Sequence, residues 1–231
     1  MKIYPVVHIN SPEQAVEQAQ VAFEYGADGV YVINHLNFNK QETLDVLDAI
    51  KDSNTENFVG VNFLTLGVDG VFRYLYESHK NGNLKNLPDA IWSDNANSNH
   101  SGLSLEQLKK RYDGLRHIKL LGGIAFKYSA EYTDSPVQAQ IEVKNNQDKV
   151  DIITTSGPGT GQPPSFEKIA AMKEIAAKPI ALASGIDASN IDQFRGIVDE
   201  ILAASSVETQ SYSGIFDKAK LKELIDLAHK E

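Results

Sequence analysis

The chain has 231 residues, 42% of them hydrophobic and 23% charged, with a net charge of −9 at pH 7. An acidic balance with scattered Lys and Arg argues against nucleic acid and against insertion into or docking on anionic membranes, since the last two need a positive footprint or a long apolar run. Cysteine is absent, which excludes disulfides, thiolate catalysis and Cys-ligated metal. The start, Met1–Pro5, does not read as a signal peptide, so a cytoplasmic protein is the expectation.

Eight short apolar runs follow one another, each ending in a polar residue and each followed by a helix-like stretch. Ile3–Ile9 stops before Ser11 and Pro12, a strong helix start, and the helix Glu13–Tyr25 puts Ala15, Ala19, Ala22 and Phe23 on one face. Gly29–Asn34 leads to helix Lys40–Asp52, and Phe58–Phe63 leads past Gly67 to helix Asp69–Asn81. Ala90–Asp94 precedes the polar stretch Asn95–Gly102, which reads as an active-site loop. Helix Ser104–Leu115 opens with Ser104 and Gln107 at capping-box spacing.

The fifth run, Lys119–Lys127, is long and holds Gly122 and Gly123, the mark of a bulge or a close backbone approach. Helix Val137–Asp148 follows it. Asp151–Ser156 runs into the glycine-proline loop Gly157–Pro164 and helix Ser165–Ala177. Pro179–Ser184 is followed by the short helix Ala188–Phe194, and Glu200–Ser205 by a loop and helix Asp217–His229. Eight β-then-α units in this length are the period of a (β/α)8 TIM barrel, with the active site at the C-terminal strand ends. No linker interrupts the chain and no repeat beyond the β-α unit is visible, so residues 1–231 read as one barrel domain.

Those strand ends carry the candidate site. Lys127 at the fifth strand faces Asp94 at the fourth. In a desolvated pocket the lysine is a base or nucleophile, and beside a carboxylate it stays charged and polarises a carbonyl or holds an anion, or simply pairs with Asp94. His8, ending the first strand, suits proton transfer near neutral pH. Asn34 and Asn62, with Thr155 and Ser156, are placed to orient substrate hydroxyls. Gly159, Thr160 and Gly161 after strand six, Ser184 and Gly185 after strand seven, and Ser205 and Ser206 after strand eight offer the backbone N–H groups that hold a phosphate in barrel enzymes. His100 and His35 are within reach of the same mouth, while His79, His117 and His229 read as surface. No His pair shows metal-ligand spacing, so no metal and no cofactor is assigned.

Val7-His8, Asn34, Val61-Asn62, Lys127, Thr155-Ser156-Gly157 with Thr160-Gly161, and Ser184-Gly185 resemble, in order and spacing, the BtpA-like family over essentially the whole chain. The resemblance implies a barrel of the ribulose-phosphate-binding type and a sugar-related enzyme. The chain departs from the family by lacking the proline-rich, glycine-containing stretch after the first histidine. It also carries Ala204–Glu208 where the family shows a Gly-Thr-Ser segment with a lysine, so a photosystem role is not carried over. Glu208 there sets a negative charge near the expected anion site. The second half is also similar to phosphoribosylanthranilate isomerase, with Gly159–Gly161, Ser184-Gly185 and Ser205–Glu208 falling where that enzyme binds phosphate. That enzyme's strand-one catalytic cysteine is absent here and its strand-five aspartate is replaced around Lys127, which argues against its reaction.

The expectation is a barrel enzyme, an isomerase or lyase, acting by proton transfer on a small phosphorylated, sugar-like metabolite. Lys127, His8 and Asp94 would be its catalytic groups, and the chain is compatible with a homo-oligomer. The alternative is a non-catalytic assembly or regulatory factor that keeps the barrel and its anion site.

Overall fold

The computed structural model describes residues 1–230. Eight parallel strands close into a barrel in the order β1 to β8: β1 Lys2–His8, β2 Val30–Ile33, β3 Val59–Asn62, β4 Ala90–Ser93, β5 Lys119–Gly123, β6 Ile152–Thr155, β7 Ile180–Ala183 and β8 Glu200–Ala203. The barrel closes through β1, whose first half pairs with β8 and whose last three residues pair with β2. Around it lie α1 Pro12–Glu24, α2 Lys40–Ser53, α3 Val68–Lys80, α4 Leu105–Arg111, α5 Pro136–Asn146, α6 Phe166–Ile175 and α7 Lys218–His229.

Side chains alternate along each strand and so build two cores. Tyr4, Val6, Tyr31, Ile33, Ala90, Trp92, Leu121, Ile152, Ala181, Ala183 and Leu202 fill the barrel interior. Their neighbours, among them Ile3, Val32, Val61, Ile91, Ile153, Leu182 and Ile201, pack outward with the helix faces. The alternation dictates which strand-end residues look into the mouth: His8 continues the inward row of Tyr4 and Val6, and Thr154 that of Ile152.

The helix starts are those read from the sequence. Ser11 and Ser104 form capping boxes with Gln14 and Gln107. Three elements differ. The expected helix Ala188–Phe194 is only a 3-10 turn at Ile191–Phe194. Helix α4 stops at Arg111, and a 3-10 turn at Asp113–Leu115 follows it. Strand β5 ends at Gly123, not at Lys127. At Gly123 a side chain would collide with the Asp94 backbone, and two residues on, Ala125 takes a positive φ of 49°. Lys127 therefore sits on the loop beyond the strand.

The bottom of the barrel holds a repeat of order four. An aspartate stands just before every even strand: Asp28, Asp89, Asp151 and Asp199. Each carboxylate accepts the backbone N–H of a residue in the preceding odd strand, Ile3, Val59, Leu120 and Ile180 respectively, at 2.7–2.8 Å. Each aspartate N–H returns a bond to that same residue's carbonyl. Each carboxylate also meets a basic group from a helix: His229, Lys51, Lys109 and Lys173 at 2.8, 2.6, 2.6 and 3.2 Å. The unit is thus two β-α pairs long, matching the alternation of odd and even strands that layers a barrel interior.

Candidate active site

At the C-terminal mouth, Lys127 is half-buried and its Nζ donates to Ser184 Oγ at 2.6 Å. Its backbone N–H donates to Ser156 Oγ at 2.8 Å. Burial holds the lysine below its usual range, while the nearby Asp94 charge pulls it back up. Asp94 is raised by burial, against the hydrogen bond from Asn62 Nδ2 at 3.1 Å and the attraction of Lys127. No ion pair joins the two among the described residues. The lysine reaches across to β7 and the aspartate turns to β3, so the direct Asp94–Lys127 pair, one of the sequence readings, is not formed.

Lys127, Ser184, Ser205 and Ser206 line one cavity with Thr160, Gly161 and Gly185 from the same loops and with Val6, Trp92 and Leu202 from the upper barrel interior. Among the described residues the backbone N–H groups of Gly161, Gly185, Ser205 and Ser206 have no hydrogen-bond acceptor. Unpaired N–H groups beside a lysine make a positive pocket. Gly185 has φ +66°, and a Cβ there would collide with the Gln162–Pro163 backbone, so packing alone demands glycine at this place. Trp92 Nε1 and Thr154 Oγ1 are buried in the upper barrel without partners.

On the β1 side, His8 Nδ1 lies 2.7 Å from Glu208 Oε1, both buried. Glu208 also accepts the N–H groups of Tyr212 at 2.8 Å and Gly214 at 3.1 Å. Its charge is therefore spent on His8 and the loop rather than standing free beside the anion loops, as its sequence position suggests. A carboxylate can only accept, so it is the His8 Nδ1–H that faces Glu208, and Nε2 is turned away from it. The imidazole packs against His35, 4.6 Å between centroids, and Tyr212, 5.2 Å. Burial, then His8, lowers the pKa of His35.

The loops over the mouth are tied together. Thr160 Oγ1 meets the hydroxyls of Tyr128 at 3.2 Å and Tyr212 at 3.3 Å, joining the loops after β5, β6 and β8. Both tyrosines are exposed and both hold a left-handed backbone, φ 63° and 62°, at a cost of roughly 1–2 kcal/mol each. Below them the cavity is only about 50 Å³.

Two groups named from the sequence face elsewhere. Asn34 turns outward and donates to Glu42 of α2 at 2.5 Å. Thr155 points away from the barrel interior and donates to Ala125 O at 3.3 Å; its neighbour Thr154 takes the inward position. Ser156 is at the mouth but fully engaged, between the Lys127 N–H and Gly157 O. Gly159 accepts from the N–H of Gln162 and shapes the loop turn. The sequence reading missed Lys168 altogether. Fully buried on α6, it donates to Ala125 O and Ser156 O, both at 2.8 Å, and lies over the Tyr132 ring. Burial brings its pKa down to about 8. A lysine on a helical core face was the only signal. Among the described residues no three His, Asp or Glu side chains converge as a metal site, and no helix is long and apolar enough to cross a membrane.

The family model described as the BtpA family matches residues 12–230. The chain belongs to the BtpA family. No curated protein matches this family member at a significant level. Among solved structures it is similar to GGGPS from Thermoplasma volcanium, with TM-score 0.67 and 16% identity over 97% of this chain and 91% of that one. It is also similar to N-(5'-phosphoribosyl)anthranilate isomerase from Pyrococcus furiosus, with TM-score 0.65 and 15% identity over 99% and 98%. A third is (S)-3-O-geranylgeranylglyceryl phosphate synthase from Thermoplasma acidophilum, solved in complex with sn-glycerol-1-phosphate, with TM-score 0.64 and 13% identity over 97% and 92%. At these identities the likeness establishes the shared barrel for this BtpA family member.

Proposed function

We propose that this BtpA family barrel is an enzyme that binds a small phosphorylated, sugar-like metabolite at its C-terminal mouth and isomerises or cleaves it by proton transfer. The observation that carries this reading is a single cavity lined by Lys127 and by four residues, Gly161, Gly185, Ser205 and Ser206, whose backbone N–H groups have no acceptor. Fixed N–H dipoles and one cation suit a phosphate dianion better than a neutral ligand. The glycerol-1-phosphate bound by a structural neighbour supports the same ligand class.

In this reading Lys127 neutralises the anion and polarises the adjoining oxygen. His8, held by Glu208 through Nδ1, takes a proton from the substrate at Nε2 and returns it, as a carboxylate-oriented imidazole does. Asn62 fixes Asp94, and Asp94 sustains the charge of Lys127. The Glu208–His8 pair favours an enzyme over an assembly or regulatory factor. Binding an anion requires no oriented imidazole.

The test is a thermal-shift screen of phosphorylated metabolites against the full chain and Lys127→Met. A ligand at about 100 times its Kd stabilises by roughly 2.7 kcal/mol. The expected result is stabilisation of the wild type by sugar phosphates, lost in the variant. Equal response of the two proteins would remove Lys127 from the site.

A further inference from the structure

A second cavity of about 220 Å³ opens between the loops after β3 and β4, on the side of the mouth away from the β6, β7 and β8 loops. Asn62 and Asp94 form its inner wall, with Asn95, Ser98 and His100 toward the rim. No Lys or Arg lines it, so it does not suit a second anion. Asp94 uses one oxygen, Oδ1, on Asn62. Among the described residues its Oδ2 has no partner, and it is not among the buried unpartnered atoms, so it remains accessible. A carboxylate oxygen, a primary amide and an imidazole supply acceptors and donors together, the mixture that reads hydroxyl groups.

The walls are held before any ligand arrives. Gly67, the residue before α3, has no room for a side chain against the Ser98 carbonyl. Ser98 Oγ accepts the N–H of Val68 at 3.2 Å, and the His100 N–H donates to Asp69 at 3.1 Å. The loop after β4 is thereby fastened to the start of α3. Trp92, on the same strand as Asp94's approach, also lines the Lys127 cavity, so one strand borders both spaces.

We infer that the cavity between the β3 and β4 loops is a polyol subsite, in which Asp94, Asn62 and His100 bind the hydroxyl-rich end of the substrate whose phosphate lies at Lys127. Its volume is below the roughly 300–1,000 Å³ of drug-sized pockets, which suits a short carbon chain bearing hydroxyls. The substrate then crosses the mouth from β7–β8 to β3–β4, and Asp94 accepts from a hydroxyl at the end remote from the phosphate. The inference rests on the phosphate reading above and adds the chemistry of the other half of the ligand.

Calorimetric titration of the full chain with inorganic phosphate, pentyl phosphate and the pentitol 5-phosphates separates the two. The subsite predicts that at least one pentitol phosphate binds about tenfold or more tightly than pentyl phosphate, the effect of a hydrogen bond to a charged group. Asp94→Asn and the exposed-loop variant His100→Ala should each erase most of that preference, and His100→Ala, away from Lys127, should leave affinity for inorganic phosphate unchanged. His100→Ala keeps the test open if Asp94→Asn fails to fold. Equal binding of pentyl and pentitol phosphates, or a preference untouched by both variants, overturns the subsite and leaves the phosphate reading standing. Failure of every phosphate probe to bind overturns the phosphate reading and the subsite with it.

Discussion

Glu208 Oε1 and His8 Nδ1 meet at 2.7 Å although 200 residues separate them. The contact joins the end of the first strand to the loop after the last, across the seam where the barrel closes. It orients, through Nδ1, the histidine that ends the inward-facing row of β1.

That relationship can be read directly. Long-range ¹H–¹⁵N spectra of the imidazole should show His8 as the Nδ1–H tautomer when neutral. Glu208→Gln should abolish that preference, because the amide can present either an acceptor or a donor. An Nε2–H tautomer in the wild type would remove His8 as the base.

Lys168 gives a prediction about pH. Its pKa stands near 8 in the fold against about 10.5 in the unfolded chain. Below pH 8 both states hold the proton and the burial penalty is present in full. Between pH 8 and 10.5 the unfolded chain keeps a proton that the fold has lost, so the lysine's contribution rises with pH, by at most about 3 kcal/mol at 1.36 kcal/mol per unit. Lys168→Met should cost about 1–3 kcal/mol through two unpaired carbonyls, and the gap from wild type should widen from pH 8 to 10 in urea unfolding. A gap that narrows would contradict the assignment.

The tyrosine clasp predicts a local effect. Thr160→Val removes the hydroxyl that Tyr128 and Tyr212 share, so amide exchange should quicken in residues 157–164 and 209–215. Global stability should stay within about 0.5 kcal/mol, as for other surface changes. Unchanged exchange would mean that the clasp does not hold the loops.

The fourfold aspartate unit predicts near-equivalence. Asp89→Asn and Asp151→Asn should each destabilise by about 1–2 kcal/mol, and the double variant should be additive within about 0.5 kcal/mol, since the two lie in different quadrants. Strong coupling between them would show that the barrel floor acts as one network.

How much of this the sequence carried depended on the kind of interaction. The barrel was legible because eight apolar runs and their caps are local signals, and Ser11–Pro12 or Ser104–Gln107 act within one turn. The mouth was legible as a set of strand ends, but not the facing of each residue. A run of Thr154, Thr155 and Ser156 does not show that the inward row from Ile152 lands on Thr154, and Asn34 at a strand end does not show that Ile33 already occupies the inward position. Lys127 reads as the end of β5 because nothing local announces that Ala125 turns left-handed, and the reach of its ammonium to Ser184 rather than Asp94 is a tertiary outcome. The aspartates at 28, 89, 151 and 199 were visible in the sequence, each just before an apolar run. Their meaning needs the knowledge that odd and even strands differ, which only the closed barrel supplies.

An anion site built from backbone N–H groups and Lys127 underlies the proposed function. Its most direct test is an amide-resolved NMR titration of the full chain with inorganic phosphate. Saturable shifts concentrated at Gly161, Gly185, Ser205 and Ser206 are expected, with affinity weakened about tenfold or more in Lys127→Met, the scale of a lost charge-assisted hydrogen bond. Shifts that spread over the surface without saturating, or that are the same in Lys127→Met, would contradict it.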